Sequence, residues 1–439
     1  MPRFQYWLLN AAYLGAIMLA LPWLLWSAWR HGKYREGFAE KFWGNAPRRS
    51  CDQPCIWLHA VSVGEVNLLA NLIRELADNR PNLELVISTT TKTGYELARQ
   101  KYADHTVFYC PLDFSWAVKR ALQRIRPDLL VLAELELWPQ LITEAKKQGV
   151  QVAIVNGRLS DKSLSGYLRI RPLISRILAQ VDMIAAQNAE TGERFSRLGA
   201  RAETVFTTGS LKFDGATTDR CNTRTTQLRK LAGLAEEDIL LLAGSTQDPE
   251  EAMALRVYQD LKPDHPRLRL VIVPRHPQRF ADVATLLEAS SLPWIRRTQL
   301  ESSPYPLPRS TIILVDSIGE LGAWWGLADI GFVGGSFGNR GGQNMLEPAA
   351  YGVATCFGPN TWNFREIVAQ LLAAEGAEVV KDEQQLSAFV RRTLNEPEWA
   401  KNLGERARQL VLSQQGATKR TVQLLLPLVA ETEAMRNAA

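Results

Sequence analysis

Cysteine is scarce in this chain, and its spacing suggests no pairing. Cys51, Cys55, Cys110, Cys221 and Cys356 are odd in number, and only the first two lie close together, at a spacing unlike that of zinc knuckles. This argues against a disulfide framework and fits free thiols in a reducing compartment. A repeat of solenoid period and a low-complexity tract are also missing, so a repeat array is not indicated. The first βα turn offers only Ser62-Val-Gly-Glu65, which lacks the glycine fingerprint of a dinucleotide site and argues against a dehydrogenase.

Charge is absent from Phe4 to Trp29, over roughly 26 positions, enough for a helix to cross a hydrocarbon core. Trp23, Trp26 and Trp29 fall where an aromatic belt would lie, and Arg30, Lys33, Arg35 and Lys41 follow. No small-residue cleavage site comes after the run and Arg3 is the sole charge before it, so an uncleaved anchor is expected over residues 1–30 rather than a removed signal peptide. The cations after the span place the remaining chain on the cytoplasmic side.

What is present describes a globular protein of more than one domain. The chain has 439 residues, 46% hydrophobic and 22% charged, enough for two full cores. A net charge of +5 favours an anionic partner without choosing its kind. Apolar runs bounded by turn residues recur at 55–63, 83–88, 106–110, 129–133, 150–155, 183–186 and 204–207, with helical patterns between most of them. The alternation restarts at 239–243, 268–273, 311–315, 330–333, 353–357 and 378–380, and a helical tail follows from Leu386. The fold class is therefore α/β, with two doubly wound parallel-sheet domains. The first is expected over 31–214, a polar connection over 215–226, and the second over 227–439 with the tail helices. Two such domains facing each other would put the carboxyl ends of both sheets on one cleft.

The second half is organised around Gly334 to Pro348, Gly-Gly-Ser-Phe-Gly-Asn-Arg-Gly-Gly-Gln-Asn-Met-Leu-Glu-Pro, between an apolar run and a helix start. Glycines admit close approach of a ligand, free N–H groups at a helix start attract anions, and Glu347 could accept sugar hydroxyls. An ordinary βα turn would look the same on its glycines alone. Elsewhere, Arg275 and His276 end a predicted strand and suit a nucleotide phosphate, though an Arg there can equally be a solvated loop residue. Glu65 follows the first strand where a carboxylate could act as a base, or could merely favour a helix dipole.

Read in order, His59-Ala-Val-Ser-Val-Gly-Glu65, Glu134-Leu-Glu-Leu-Trp-Pro139, Gly209-Ser-Leu-Lys-Phe-Asp214, Val273-Pro-Arg-His-Pro277 and Gly341-Gly-Gln-Asn-Met-Leu-Glu-Pro348 resemble the 3-deoxy-D-manno-octulosonic acid (Kdo) transferases of lipopolysaccharide synthesis. The resemblance spans nearly the whole chain. It implies two facing Rossmann-like domains of the GT-B type that move Kdo from CMP-Kdo to a lipid A precursor at the inner membrane. Inversion at the anomeric centre, no metal and no cofactor beyond the donor are implied, and neither is a nucleic-acid partner. By the same resemblance Glu65 is the base, with Lys212 and Glu134 acting near the transition state and Glu136 the alternative in the same motif. Pro274, Arg275, the Ile318, Gly319, Glu320 triplet, and Asn344, Met345, Leu346 and Glu347 would hold the nucleotide.

The departures are Gln343 and Met345, where the family usually has His and Pro, and Tyr351, where His is frequent. They leave Asn344 and Glu347 in place but bear on the fit of the donor, so a related keto-sugar is an alternative. A sugar-nucleotide epimerase of the same fold is a second alternative, and a non-catalytic membrane-bound protein a third.

Overall fold

A computed structural model describes residues 3–31, 36–302 and 307–438; Lys33 and Arg35, two of the cations expected to flank an anchor, lie outside these. The chain divides into two compact units, residues 1–215 with 414–439, and residues 216–413.

The first unit holds seven strands: β1 (Cys55–His59), β2 (Glu84–Thr89), β3 (Thr106–Tyr109), β4 (Leu129–Ala133), β5 (Gln151–Gly157), β6 (Met183–Ala186) and β7 (Val205–Thr207). They are all parallel, in the order β3-β2-β1-β4-β5-β6-β7. Side chains alternate between two cores, as the two-residue strand period requires. Trp57, Leu130, Leu132, Val152 and Ile154 face one helical layer. Ile56, Leu58, Val131, Ala153 and Val155 face the other, which contains helix Val63–Asn79.

The second unit repeats the plan with β8 (Ile239–Thr246), β9 (Leu268–Pro274), β10 (Trp294–Arg296), β11 (Ile312–Leu314), β12 (Ile330–Val333), β13 (Ala354–Phe357) and β14 (Glu378–Val379). The parallel order is β10-β11-β9-β8-β12-β13-β14. Chain direction across the sheet reverses between β1 and β4 in the first unit and between β8 and β12 in the second. In open α/β sheets such switch points leave a crevice at the strands' carboxyl ends.

Three stretches add detail to this plan. The polar 215–226 stretch is not simply a connection, because Asn222 caps a helix over Thr223–Leu231 by accepting from the Thr225 amide. The last helix, Ala417–Ala438, does not stay with the second unit: Val422, Leu425 and Val429 bury their stripe in the core beside Leu68, Leu72 and Val131 of the first. At the other end, the uncharged run does form a helix, Arg3–His31, with Pro22 inside it. Among the described residues, however, no helix is long and apolar enough to cross a membrane. Asn10 of this helix is buried against the first unit, hydrogen-bonded to Ser115 and Gln140.

Candidate active site

The predicted functional residues follow the carboxyl ends of strands in both units, with Glu65, Glu134 and the glycine-rich loop at the two switch points, and the local backbone explains how. In the first unit Glu65 opens the helix that follows β1. Ser62 caps that helix by accepting from the Glu65 amide at 3.4 Å, while Glu65 reaches back, its Oε2 accepting from the Val61 amide and its Oε1 from the Ser62 hydroxyl, both at 2.8 Å. This reciprocal pair is of the capping-box kind, so Glu65 has a structural role at the helix start. That role is compatible with one as a base, because each carboxylate oxygen has a second lone pair for an acceptor hydroxyl. Burial, and after it the charge of Glu134, push the Glu65 carboxyl above its ordinary range, against those hydrogen bonds.

Glu134 and Glu136 follow β4, the neighbour of β1. They occupy a turn, with Glu134 in the left-handed region at φ 55° and its amide held by the Val155 carbonyl at 2.9 Å. A non-glycine residue there costs on the order of 1 kcal/mol or more, a strain that tends to persist where function needs it. Glu136 accepts from the Trp138 indole at 2.8 Å, and burial raises its pKa, with the charges of Glu65 and Glu134 adding to the effect. Lys212 brings its ammonium to 3.8 Å from Glu134. The structure therefore groups Glu65, Glu134, Glu136 and Lys212: three carboxylates and one cation, with the proton affinity of Glu65 raised.

Sequence reasoning missed Asn156, the residue that sets Lys212 in place. It is the next-to-last residue of β5, buried and left-handed at φ 55°, and its Oδ1 accepts from the Leu211 amide at 3.0 Å and the Ser210 hydroxyl at 3.3 Å. Asn tolerates that backbone better than other polar residues, which is the one sequence signal that could have marked it.

In the second unit the glycine-rich loop follows β12. A Cβ on Gly334 would stand 2.6 Å from the Thr246 Cα, and Gly335 has φ 65°, so both positions require glycine. The loop's amides are not all free for a ligand. Glu250, 1% exposed, accepts from the amides of Gly335, Ser336 and Phe337 at 2.7, 2.8 and 3.0 Å and from Gln247 at 2.9 Å. The helix start is also occupied, since the Leu346 amide donates to the Asn344 Oδ1 at 3.1 Å and the helix runs only Leu346–Ala350.

The predicted donor residues fall into two groups. Arg275, exposed, donates through Nε to Gln343 at 2.9 Å, and Asn344 donates to Glu347 at 3.0 Å. Burial raises the Glu347 carboxyl, opposed by the Asn344 bond and by the Arg275 charge. Arg275, Gln343, Asn344 and Glu347 thus form one polar surface. Beside it, His276, Arg279, Arg340 and the loop at Gly335 line a cavity of about 250 Å³. Met345, Leu346 and Pro274 are buried and contribute shape rather than polar atoms. Glu320 is bound by Arg297 at 2.8 and 2.9 Å and by Ser317 at 2.5 Å, while Ile318 is 80% exposed beside Gly319 at φ 84°. Of that triplet, Ile318 and the Gly319 backbone are open to a ligand. A larger cavity of 730 Å³ lies at the opposite end of the sheet, by Ile239, Asp329 and Ala354, away from these residues.

Residues 32–215 match the family model described as 3-deoxy-D-manno-octulosonic-acid transferase (kdotransferase). Over 400 residues, 90% of this chain and 92% of the relative, it is 35% identical to a 3-deoxy-D-manno-octulosonic acid transferase of Haemophilus influenzae. A transferase of the same name from Bordetella pertussis is 33% identical over 94% of this chain and 97% of its own. In fold the chain is similar to a UDP-GlcNAc 2-epimerase from Neisseria meningitidis, with a TM-score of 0.58 and 14% identity over 85% of this chain and all of that one. Two parallel-sheet α/β domains, a carboxylate cluster after β1 and β4, and likeness along nine-tenths of the sequence agree: the chain belongs to the 3-deoxy-D-manno-octulosonic acid transferase family, and is a glycosyltransferase.

Proposed function

We propose that the protein transfers Kdo from CMP-Kdo to a hydroxyl of a lipid A precursor, with inversion and without a metal. The observation that carries this reading is the carboxylate cluster at the first switch point, with Glu65 raised in proton affinity and Lys212 beside Glu134. Glu65 takes the proton of the acceptor hydroxyl as that oxygen bonds to the anomeric carbon. The bond from that carbon to the phosphate oxygen breaks, and CMP leaves with the electron pair. A carboxylate base of raised pKa matches such a proton transfer better than an ordinary one near neutral pH. Lys212 counters negative charge on the Kdo carboxylate or the departing phosphate, and Glu134 stabilises positive character at the anomeric carbon.

In the second unit Arg275 and the neighbouring cavity face the nucleotide phosphate, and Glu347 accepts from sugar hydroxyls. Replacing Arg275 with Ala is expected to weaken CMP binding at least tenfold, the scale of one charge-assisted hydrogen bond, and Glu347→Ala should weaken it as well. Calorimetry showing unchanged CMP affinity in both folded variants would remove the donor assignment.

The N-terminal helix is the attachment to the anionic inner face of the cell membrane. Trp7, Met18, Leu19, Trp23, Trp26 and Trp29 are exposed on it, while Asn10 is held by the protein. The reading is therefore of a helix lying in the interface, with aromatic side chains at headgroup level, rather than one crossing. Mass spectrometry of the lipid formed from CMP-Kdo and a lipid A precursor tests the whole proposal. Kdo-bearing lipid is expected; epimerised or hydrolysed nucleotide, or binding without turnover, would refute it.

A further inference from the structure

The N-terminal helix makes a contact that membrane attachment does not require. Asn10 and Tyr13, one helical turn apart, point into the first unit and meet a buried polar group drawn from two other segments. The Asn10 amide donates to the Ser115 hydroxyl at 2.8 Å, and its carbonyl accepts from the Ser115 amide at 3.2 Å and the Gln140 side chain at 2.9 Å. The Tyr13 hydroxyl donates to Asp113 at 3.0 Å, and its ring packs edge-on against Phe114. Asp113 is 5% exposed and also accepts from the amides of Gln140 and Leu141, at 3.0 and 2.8 Å; the Gln140 side chain returns a bond to the Asp113 carbonyl.

Those two amides are the first turn of helix Pro139–Lys147, whose own cap position, Trp138, supplies no side-chain bond. Asp113 therefore caps that helix from 27 residues away. The residues leading into the helix are Glu134 to Trp138, and Trp138 holds Glu136 through its indole. A buried carboxylate is expensive unless its oxygens are filled, and here the Tyr13 hydroxyl fills a site the helix amides leave open.

We propose that the N-terminal helix is a positioning element for the acceptor-side carboxylates, with Asn10 and Tyr13 locking Asp113 and Gln140 and thereby fixing the Glu134–Trp138 turn. The inference rests on the Kdo-transfer reading for its kinetic consequence but not for its structural one. A small displacement of a carboxylate can cost a large factor in turnover without changing how the donor binds. Attachment to lipid and assembly of the site would then be two duties of one helix, separable by mutation.

The test uses the full chain carrying Asn10→Leu with Tyr13→Phe, which keeps the helix apolar and removes the polar bonds. Sedimentation with vesicles containing anionic phospholipid is expected to match the unaltered protein. Hydrogen exchange over residues 134–142 should accelerate roughly tenfold, and turnover on detergent-dispersed acceptor should fall by roughly the same factor at unchanged KM for the donor. Exchange and turnover both equal to those of the unaltered protein would overturn the lock, as would a loss confined to vesicle binding. If the unaltered protein forms no Kdo-lipid at all, the transfer reading fails, and the exchange measurement still decides whether the helix orders the turn.

Discussion

Replacing Glu65 by Gln is expected to lower turnover by roughly 10² to 10⁴, the range a general base supplies, while CMP binding and thermal stability stay as they were. The capping box makes this substitution unusually clean. Gln serves at the third position of such a box nearly as well as Glu, so the bond from the Val61 amide can persist and the helix start need not loosen. The second bond reverses, the Gln NH2 donating to the Ser62 hydroxyl that now donates to the carboxylate, so both contacts can be kept while basicity is lost. The pH profile gives a second check: burial raises the Glu65 carboxyl, so turnover of the unaltered protein should fall on the acid side at a pH above the ordinary carboxylate range. That limb should disappear in the variant's residual activity. Near-normal transfer by a folded Glu65→Gln protein would move the role to Glu134 or Glu136.

Lys212→Met is expected to cost roughly 10² to 10³ in turnover, the loss seen when one preorganised electrostatic contact to a transition state is deleted. Stability should barely change. The Lys212–Glu134 pair is partly solvated, with side chains 39% and 27% exposed, and pairs of that kind contribute about 0–1 kcal/mol. A catalytic loss that large beside so small a structural one would separate the two roles. Removing the cation also leaves three carboxylates facing one another, so the acid limb assigned to Glu65 should shift to higher pH. Lys212→Arg should recover part of the rate. Turnover in Lys212→Met within about threefold of the unaltered protein would show that Lys212 does not meet the developing charge.

How much of this was legible beforehand follows from the range of the interactions involved. The strands announced themselves because parallel strands covered on both faces are continuous apolar runs, and Leu129 to Ala133 is one of them. Strand β10, three residues of Trp-Ile-Arg, is too short to show a period and was missed. Glu65, Glu134 and Lys212 stand out in the sequence because their motifs match a family in order, not through any local pattern. The capping box was readable from the Ser62 to Glu65 spacing alone and was passed over. Asp113, Asn156 and Glu250 were not readable at all: each acts on a segment 27 to 87 residues away, and no local pattern reports such a partner. The last helix shows the same limit, since an apolar stripe calls for a core without naming which.

With the donor bound at the glycine-rich loop as proposed, Glu250 would bear on the kinetics of its capture. Three consecutive amides of the glycine loop, and a fourth from the turn after β8, already end on its carboxylate. A loop so tethered has little conformational entropy left to surrender, and a ligand meeting it binds a surface already in its bound shape. Donor association should then be set by diffusion and orientation, with a rate constant linear in donor concentration and no slow closing phase after encounter. Glycine loops are usually valued for their freedom; in this one, the freedom is spent before the substrate arrives.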